Sequence, residues 1–463
     1  MHTIQIALLW TDILFFLILI VGLLFFVGSL CNPQTRETWK EVFKKPATIV
    51  SSLILATFLI VGVLDSLHFH KQLPRTHYTQ ISYSPHVYSV LDLLLAPLNK
   101  NLEKTYSAPF ALHAYVKEFI ETPHGKRIYA YPRLKYAVSH LRSQNALHEI
   151  LRLSLKGMLE GLFISGVLFL SALLASTRGK IYRFKSGLAL LCRRESLWFF
   201  ATASCIILII AVLHTLSTEF HILGTDKVGQ DLFYSTVKSI RTGLIIGTVT
   251  TLLMIPFALG FGILAGFYGG IIDDIIQYIY TTVSSIPGVL LIAASVLSMQ
   301  LFISHHPKLF ETFDSRDDAR LLTLCIILGI TGWTGLCRIL RAETLKLREI
   351  DFIQASIALG MSHMKIIWKH IIPNVMPLVL ITVVLDFSGL VLAEAVLSYV
   401  GVGVAPTTHS WGNMINSARL ELAREPVVWW PMLSAFSFMF ALVLSCNIFA
   451  DRLRDAFDPR LKR

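Results

Sequence analysis

The side chains whose types could do chemistry do not assemble into a catalytic set. His148 is followed by Glu149, but the second histidine of a zinc-binding H-E-x-x-H helix is missing. Ser362 and Lys365 have S-x-x-K spacing, yet they fall in a basic stretch between two apolar runs, which is no place for a nucleophilic serine. No G-x-x-x-x-G-K-[ST] run occurs, so the chain carries no phosphate loop of its own. His68 and His70 are metal-ligand types, and two surface histidines are the simpler reading. The 6 cysteines, Cys31, Cys192, Cys205, Cys325, Cys337 and Cys446, show no C-x-x-C spacing, which argues against a disulfide framework or a zinc site. The expectation is therefore no catalytic residue, no metal and no cofactor on this chain. Two carboxylates remain, Asp386 and Glu394, both inside the apolar run 378–400. A carboxylate at membrane depth costs roughly 2.5–3.5 kcal/mol, so such groups face a bundle interior or a wet pathway. Two readings follow for the pair: they line a polar path, or they are buried against Ser388, Ser398 or a neighbouring backbone.

The elements that must position these residues are membrane spans. Hydrophobic residues make up 54% of the chain and charged residues only 15%. The net charge of +11 does not signal a nucleic-acid partner, because the basic residues cluster beside apolar runs, as the positive-inside rule produces. Spans are expected at about 4–30, 48–64, 157–176, 198–216, 242–268, 275–301, 321–340, 378–400 and 429–450. Arg36, Lys40, Lys44 and Lys45 follow the first span, and Arg178, Lys180, Arg183, Lys185, Arg193 and Arg194 follow the third. This places the N-terminus outside and the C-terminal tail 451–463 inside. The fold class is an all-α polytopic membrane protein. The polar region 65–156 lies outside and is long enough for a small helical domain or cap, within which 87–98 is apolar enough to lie on a membrane surface.

The stretch 338–377, RILRAETLKLREIDFIQASIALGMSHMKIIWKHIIPNVMP, is basic and therefore faces the cytoplasm. Residues 352–359 are helix formers, and Gly360 is placed to end that helix in a left-handed conformation. Ser362 reads as the N-cap of a second short helix. In it Met364, Ile367, Trp368 and Ile371 fall at i, i+3, i+4 and i+7, one apolar face. Ile372 precedes Pro373, where that helix should break. Two short helices at about 349–372, joined at a glycine, make a surface for docking another protein.

The run from Gln354, Ala355 and Ser356 to Gly360, closing on Ile372-Pro373, resembles the Glu-Ala-Ala coupling motif of ABC importer permeases. Gln354 stands where the family has Glu and keeps its size without its charge; Ser356 replaces the second Ala. After the fourth span, Gly224, Thr225, Asp226, Gly229 and Asp231, with Arg241 further on, match the signature that opens the core of the peptide and nickel permease branch; Gln230 replaces its usual Arg. The glycines suit tight turns, and Asp226 and Asp231 can cap the helix that follows. Asp273-Asp274 after Gly269-Gly270, the run LAEAVLSYVGVGV, the run around Ser410-Trp411-Gly412-Asn413 and the closing DAFDPRL are similar to family features too. Trp411 and Pro406 are expected at the outer bilayer surface or against a binding protein.

The resemblance covers about 198–463. It implies a six-helix type I importer core at 196–463, preceded at 1–195 by about three extra spans and the extracytoplasmic insert. It also implies a bacterial inner-membrane protein that is not itself an enzyme. Its partners would be a second homologous permease, two ATP-binding cassette subunits that hold the ATP and Mg, an extracytoplasmic solute-binding protein and membrane lipid. Peptide is the first expectation for substrate; nickel or another small solute is the alternative. A secondary transporter would need inverted repeats, which are not evident, and a membrane sensor would leave the coupling stretch unexplained.

Overall fold

The computed structural model describes residues 5–31, 33–72, 83–121, 127–137, 146–177, 193–307, 310 and 312–457. The basic run 178–192, the tail 458–463 and parts of the 65–156 region (73–82, 122–126 and 138–145) lie outside the described residues. Strand β1 (Gln5–Ala7) precedes helices α1 (Trp10–Cys31), α2 (Pro33–Lys44) and α3 (Pro46–Ser66). Strands β2 (His68–Gln72) and β3 (Tyr83–Ser89), short helices α4 (Val90–Leu94) and α5 (Ala96–Lys100), and strands β4 (Glu118–Glu121) and β5 (Arg127–Ala130) follow. Then come α6 (Ala146–Thr177), α7 (Arg194–Ser217), α8 (Leu232–Tyr268), α9 (Gly270–Ser285), α10 (Gly288–His305) and α11 (Phe313–Arg348). The chain closes with α12 (Asp351–Ala358), α13 (His363–Ile366), α14 (Ile372–Val400), α15 (Trp411–Glu421) and α16 (Trp430–Phe457). Among the described residues, 9 helices are long and apolar enough to cross a membrane, so the chain is an integral multi-pass protein.

Helices α8 and α11 lie side by side and run in the same direction. Near their starts Thr11 links them, because it donates to Asp318 and lies within reach of Arg241. Near their ends Gly262 approaches Cys337 and Leu340, and Gly266 approaches Arg341 and Thr344. A Cβ on Gly266 would lie 2.6 Å from Thr344 Cβ and 2.7 Å from the Arg341 carbonyl, so only glycine lets the two backbones come this close. Helix α14 runs the opposite way, bringing Phe387 against Gly247 and Trp411, beyond its end, against Gly243. The bundle thus has two ends. One holds the loop 221–231 and the starts of α8 and α11; the other holds α12 and α13. The N-terminal strand lies at the first end and Phe457 at the second, beside Trp39.

Three expectations are corrected. Residues 5–7 form a strand, not the start of the first span. β1 pairs antiparallel with β2, and β2 with β3. The 65–156 region is therefore not a helical domain: its described part supplies β2 and β3 to a three-stranded sheet completed by β1, then two short helices, the β4–β5 hairpin and the start of α6. Its alternating Phe, His, Tyr and Val suit a half-buried strand, a pattern too short to stand out in a region read for helical spacing. Within the region, 87–98 is the end of β3 followed by α4 and α5: a Ser89–Asp92 capping box opens α4, Leu91 and Leu98 are buried, and Leu93 and Leu94 are exposed. Finally, 275–301 is two helices. Ile286, preceding Pro287, is held extended at ψ 127, which ends α9 before α10 begins.

The N-terminal helices are not set apart from the rest. Phe15, Phe58 and Leu91 share one buried cluster with Val237, Ile245, Leu324 and Trp411. Gly62 of α3 is in contact with Leu244 of α8. Helix α6 forms an antiparallel hairpin with α7, Gly157 meeting Thr215 and Gly161 meeting Leu208.

The close α8–α11 seam yields a test. Gly266→Val should destabilise the chain by about 1–3 kcal/mol through overpacking. Gly260→Val, where a Cβ meets nothing within 4 Å, should change stability by less than about 1 kcal/mol and not unfavourably, since valine is the better helix former. Thermal unfolding of the purified protein in detergent reads the difference, and equal loss for both variants would remove the seam from the account.

Candidate functional site

Helix α12 ends as the sequence suggests. Gly360 has φ +76, its N–H donates to the Ile357 carbonyl at 2.9 Å, and the Met361 N–H donates to the Ser356 carbonyl at 3.1 Å. This is the paired bonding of a Schellman cap. Ser362 occupies the N-cap position of α13 in an extended conformation, without a side-chain cap bond. The second helix departs from expectation in two ways. Residues Ile367–Ile371 form a π turn, and the Ile372 N–H reaches the Ile367 carbonyl. The wider turn changes the helical phase: Ile366, Ile367 and Ile371 are buried against Ile353 and Leu340, whereas Met364 and Trp368 are 58% and 67% exposed. There is also no break before Pro373. The π turn leads directly into α14, with Pro373 near the start of that helix. Asn374 donates its amide to the His370 carbonyl at 2.6 Å.

The residues that carry the resemblance to the coupling motif form a rim. Gln354 and Ala355 are exposed, Gln354 donating to the Arg348 carbonyl at 2.9 Å, and Ser356 Oγ donates to the Phe352 carbonyl at 2.8 Å. Ile372 is partly buried and Pro373 exposed. Phe352, Leu359, Met364 and Trp368 project outward, Leu359 being 86% exposed. Behind them Arg341 grips Asp273 at 2.5 and 2.6 Å, tying α9 to α11. That hydrogen-bonded guanidinium holds the Asp273 carboxyl below the usual range.

At the other end, Asp231 caps α8, accepting from Phe233 and Tyr234 N–H at 2.8 and 3.2 Å. Asp226 does not cap the helix. It closes its own turn, accepting from Val228 and Gln230 N–H at 2.9 and 2.8 Å. Gly224 and Gly229 both have φ +77. The loop is fastened to the 65–156 region: Ser107 N–H donates to Thr225 Oγ1 at 2.7 Å, Thr225 Oγ1 donates to the Thr105 carbonyl at 2.9 Å, and Glu103 N–H donates to the Gly229 carbonyl at 3.0 Å. A Cβ on Gly224 or Gly229 would run into the Ser107 or Glu103 carbonyl. Trp430 Nε1 donates to the Thr225 carbonyl at 3.1 Å. Trp411 is not at a surface. It is 1% exposed, with its Nε1 donating to the Thr236 carbonyl at 3.1 Å; Pro406 is exposed.

His221, Glu103, Asp12, Lys238 and Asp92, which the sequence did not single out, join the two halves here together with Asp231, Arg241 and His68. His221 lies between Asp231, 2.7 Å from Nδ1, and Glu103, 3.8 Å from Nε2. Burial opposes its charge, but the hydrogen-bonded carboxylates raise it to about 9. Arg241 pairs with Asp12 of α1 at 2.7 Å, and Asp12 also meets His68 Nδ1 at 2.7 Å. Lys238 pairs with Asp92 at 2.8 Å, where the Tyr234 hydroxyl also donates at 2.7 Å.

The two carboxylates of α14 separate. Glu394 is 2% exposed and accepts from Ser398 Oγ at 2.7 Å, from Ser410 and from the Gly412 N–H. Of the two readings, the structure has the buried one for Glu394, which ties α14 to the loop before α15. Asp386 is half-buried at the middle of α14 and has no hydrogen-bond partner among the described residues. Ser388 donates instead to Asn447 at 2.7 Å.

Two predictions follow. A histidine raised from 6.5 to about 9 on folding stabilises fully below pH 6.5, and the contribution is lost as pH rises through about 9. The unfolding midpoint should fall over that window, and His221→Gln should flatten the fall; an unchanged slope would contradict the charged assignment. Asp12→Asn leaves Arg241 buried without its anion and should cost about 3–5 kcal/mol. The double variant Asp12→Leu with Arg241→Met should recover much of the loss, as read by unfolding in detergent.

Comparison with known proteins agrees with this architecture. Residues 258–463 match the family described as binding-protein-dependent transport system inner membrane component. The dipeptide transport system permease protein of Lactococcus lactis subsp. cremoris is 32% identical over 240 residues, 52% of this chain and 64% of the relative. The oligopeptide transport system permease proteins of Bacillus subtilis and Haemophilus influenzae are each 31% identical, over 243 and 242 residues, covering 73% and 71% of those proteins. The matched stretch thus spans just under two thirds of the Lactococcus relative and more of the other two. The chain belongs to the binding-protein-dependent inner-membrane permease family and is an ABC importer permease subunit, not itself an enzyme.

Proposed function

We propose that this chain is a peptide-importing permease whose movement is driven by separate ATPase subunits docked on residues 349–372. The observation that carries the reading is the Gly360 joint. A left-handed glycine links two short helices whose inner faces are buried on α11 and α14 while Phe352, Leu359, Met364 and Trp368 face outward. Such a rim suits the groove of a cytoplasmic partner, and helices rooted in a packed core would carry its displacement into the membrane as levers. Gln354, Ala355, Ser356, Ile372 and Pro373 are the accompanying contact residues. ATP and Mg would reside on those partners; the chain supplies binding and motion only.

The names of the relatives, dipeptide and oligopeptide permeases, favour peptides as the solute. Asp386 supports the same reading: a half-buried carboxylate without a partner, midway along a spanning helix, suits the ammonium end of a peptide on its path. The working unit would pair this chain with a second permease and receive solute from an extracytoplasmic binding protein. In the inner membrane of a bacterium, the signature loop of Gly224, Thr225, Asp226, Gly229 and Asp231 would face outward with the N-terminus, and the 349–372 stretch inward with the C-terminus. The unit 196–463 is the permease proper, and 1–195 is an addition that packs along it, from the ion pairs at the signature end to Trp39 beside Phe457 at the other.

Gly360 and Gly401 provide a matched test, since both are left-handed, at φ +76 and +86, and a Cβ on either meets nothing within 4 Å. Backbone strain of roughly 1–2 kcal/mol applies to both variants. Gly360→Val should reduce co-purification with the ATPase subunits and peptide uptake by about tenfold or more, Gly360→Ala less, and Gly401→Val should leave ATPase binding intact. Wild-type uptake by Gly360→Val with its ATPase bound would reject the joint as a coupling element.

A further inference from the structure

A cavity of about 290 Å³ opens at the signature end between the last turn of α10 and the first turns of α11, away from the coupling rim and the signature loop. Gln300, Ser304, Arg316, Asp317 and Arg320 line it, with Ala405 of the loop after α14. Arg320 is its odd member. With the Gln300 amide oxygen turned toward it, the guanidinium donates through its two terminal nitrogens at 2.8 and 3.0 Å. Its Nε is buried and has no partner. Among the described residues no carboxylate lies within ion-pair distance of it. The nearest candidate, Asp317, sits one turn earlier and accepts from Thr407 Oγ1 at 2.5 Å. Arg316, four residues before Arg320 and so on the same helix face, uses Nε on the Phe310 carbonyl at 3.0 Å and lies over the Phe313 ring at 5.6 Å. Among the described residues the cavity therefore holds two guanidinium groups with no carboxylate at ion-pair distance, Asp317 acting on Arg320 only from further off, and one of the two has an unsatisfied buried donor. An unpartnered buried donor is destabilising, and an oxyanion in the cavity would relieve it. Guanidinium groups suit phosphate and carboxylate geometry.

The surroundings identify the source of that oxyanion. Helix α10 is a candidate span, yet only Ile292 and Val296 of it are buried, while Leu297, Leu301 and Phe302 are 59%, 62% and 46% exposed just below the cavity. Phe313 is 74% exposed beside its mouth. A cationic pocket at the end of an exposed apolar track, at the level where a spanning helix leaves the hydrocarbon, matches a phospholipid: phosphate in the pocket, acyl chains along α10. We propose that the Arg320 cavity is a phospholipid site that holds the phosphate group of a lipid at the outer ends of α10 and α11. Arg320 is the primary ligand, Arg316 supports it, and Asp317 limits the site to headgroups that tolerate a nearby carboxylate. The bound lipid would seat the otherwise thinly packed α10 against the rest of the bundle.

The test uses the full chain, delipidated in detergent and examined by native mass spectrometry with three probes: phosphatidylglycerol, diacylglycerol with the same tails, and glycerol phosphate. Phosphatidylglycerol should be retained and should raise the thermal midpoint; the tail-only and head-only probes should not be retained. Arg320→Met should weaken retention by about tenfold or more, Arg320→Lys by less, and Arg316→Ala by less than Arg320→Met. Because Arg320→Met also removes an unpaired buried donor, its lipid-free stability should equal or exceed that of the parent, which separates loss of the site from loss of the fold. Equal retention of phosphatidylglycerol by Arg320→Met would overturn the site. Retention of glycerol phosphate alone would make it a site for a soluble oxyanion, and a cavity closed in complex with a second permease chain, with no lipid retained, would make it a subunit contact. Either result rejects the lipid assignment.

Discussion

Close parallel contact between α8 and α11 is the constraint on which the structure rests. The two helices have 37 and 36 residues, so each runs about 55 Å at 1.5 Å per residue. The hydrocarbon core is about 30 Å thick, and the surplus at each end does the organising. At one end it carries Lys238, Arg241 and Asp318, which need partners. At the other it carries Arg341 and Arg348, which hold α9 and the Phe267 carbonyl. Gly262, Gly266 and Gly329 keep the backbones close enough for the pair to behave as one body. Helix α12 follows α11 almost without interruption, so a push at the coupling rim has a direct route toward the signature end.

That constraint explains how the N-terminal segment is fitted. A core that buries Arg241 and Lys238 at its end must meet carboxylates there, and Asp12, Asp65 and Asp92 all come from the first hundred residues. Breaking a buried pair costs several kcal/mol because the remaining charge is stranded. The boundary near residue 195 is thus a boundary of sequence resemblance, and the packing and ion pairs cross it. The Glu103–His221–Asp231 contact crosses it again.

Much of this was legible in the residues. Long apolar runs announce spans because the bilayer demands a fixed length of continuous hydrophobicity, and these runs match the helices to within several residues at most ends. Gly360 was legible because a glycine after a run of helix formers has one common use. The misses have physical causes. The strands of residues 5–7 and of the 65–156 region are short; the pairing of β1 with β2 is non-local, so no window of sequence contains it, and the β4–β5 hairpin has strands too short to stand out. The π turn at Ile367–Ile371 adds a residue to one turn without any residue type that demands it, and the buried face is set by Ile366, Ile367 and Ile371, leaving Met364 and Trp368 off it. Trp411 reads as an interfacial residue by type, and the gap left by Gly243 makes room to bury it. His221 and Glu103 are far apart in sequence and carry no motif that links them.

The central claim is that the exposed rim of α12 and α13 is the face on which the ATPase subunits act. Photo-crosslinking reads this directly. A photoreactive residue at position 359, in place of the 86% exposed Leu359, and one at position 420, in place of the 72% exposed Leu420 on α15 at the opposite end, would be compared in the assembled transporter. The account predicts a covalent product with an ATPase subunit from position 359, sensitive to ATP binding, and none from position 420. An ATPase product from position 420, or its absence from position 359 in an assembled and active transporter, would contradict it.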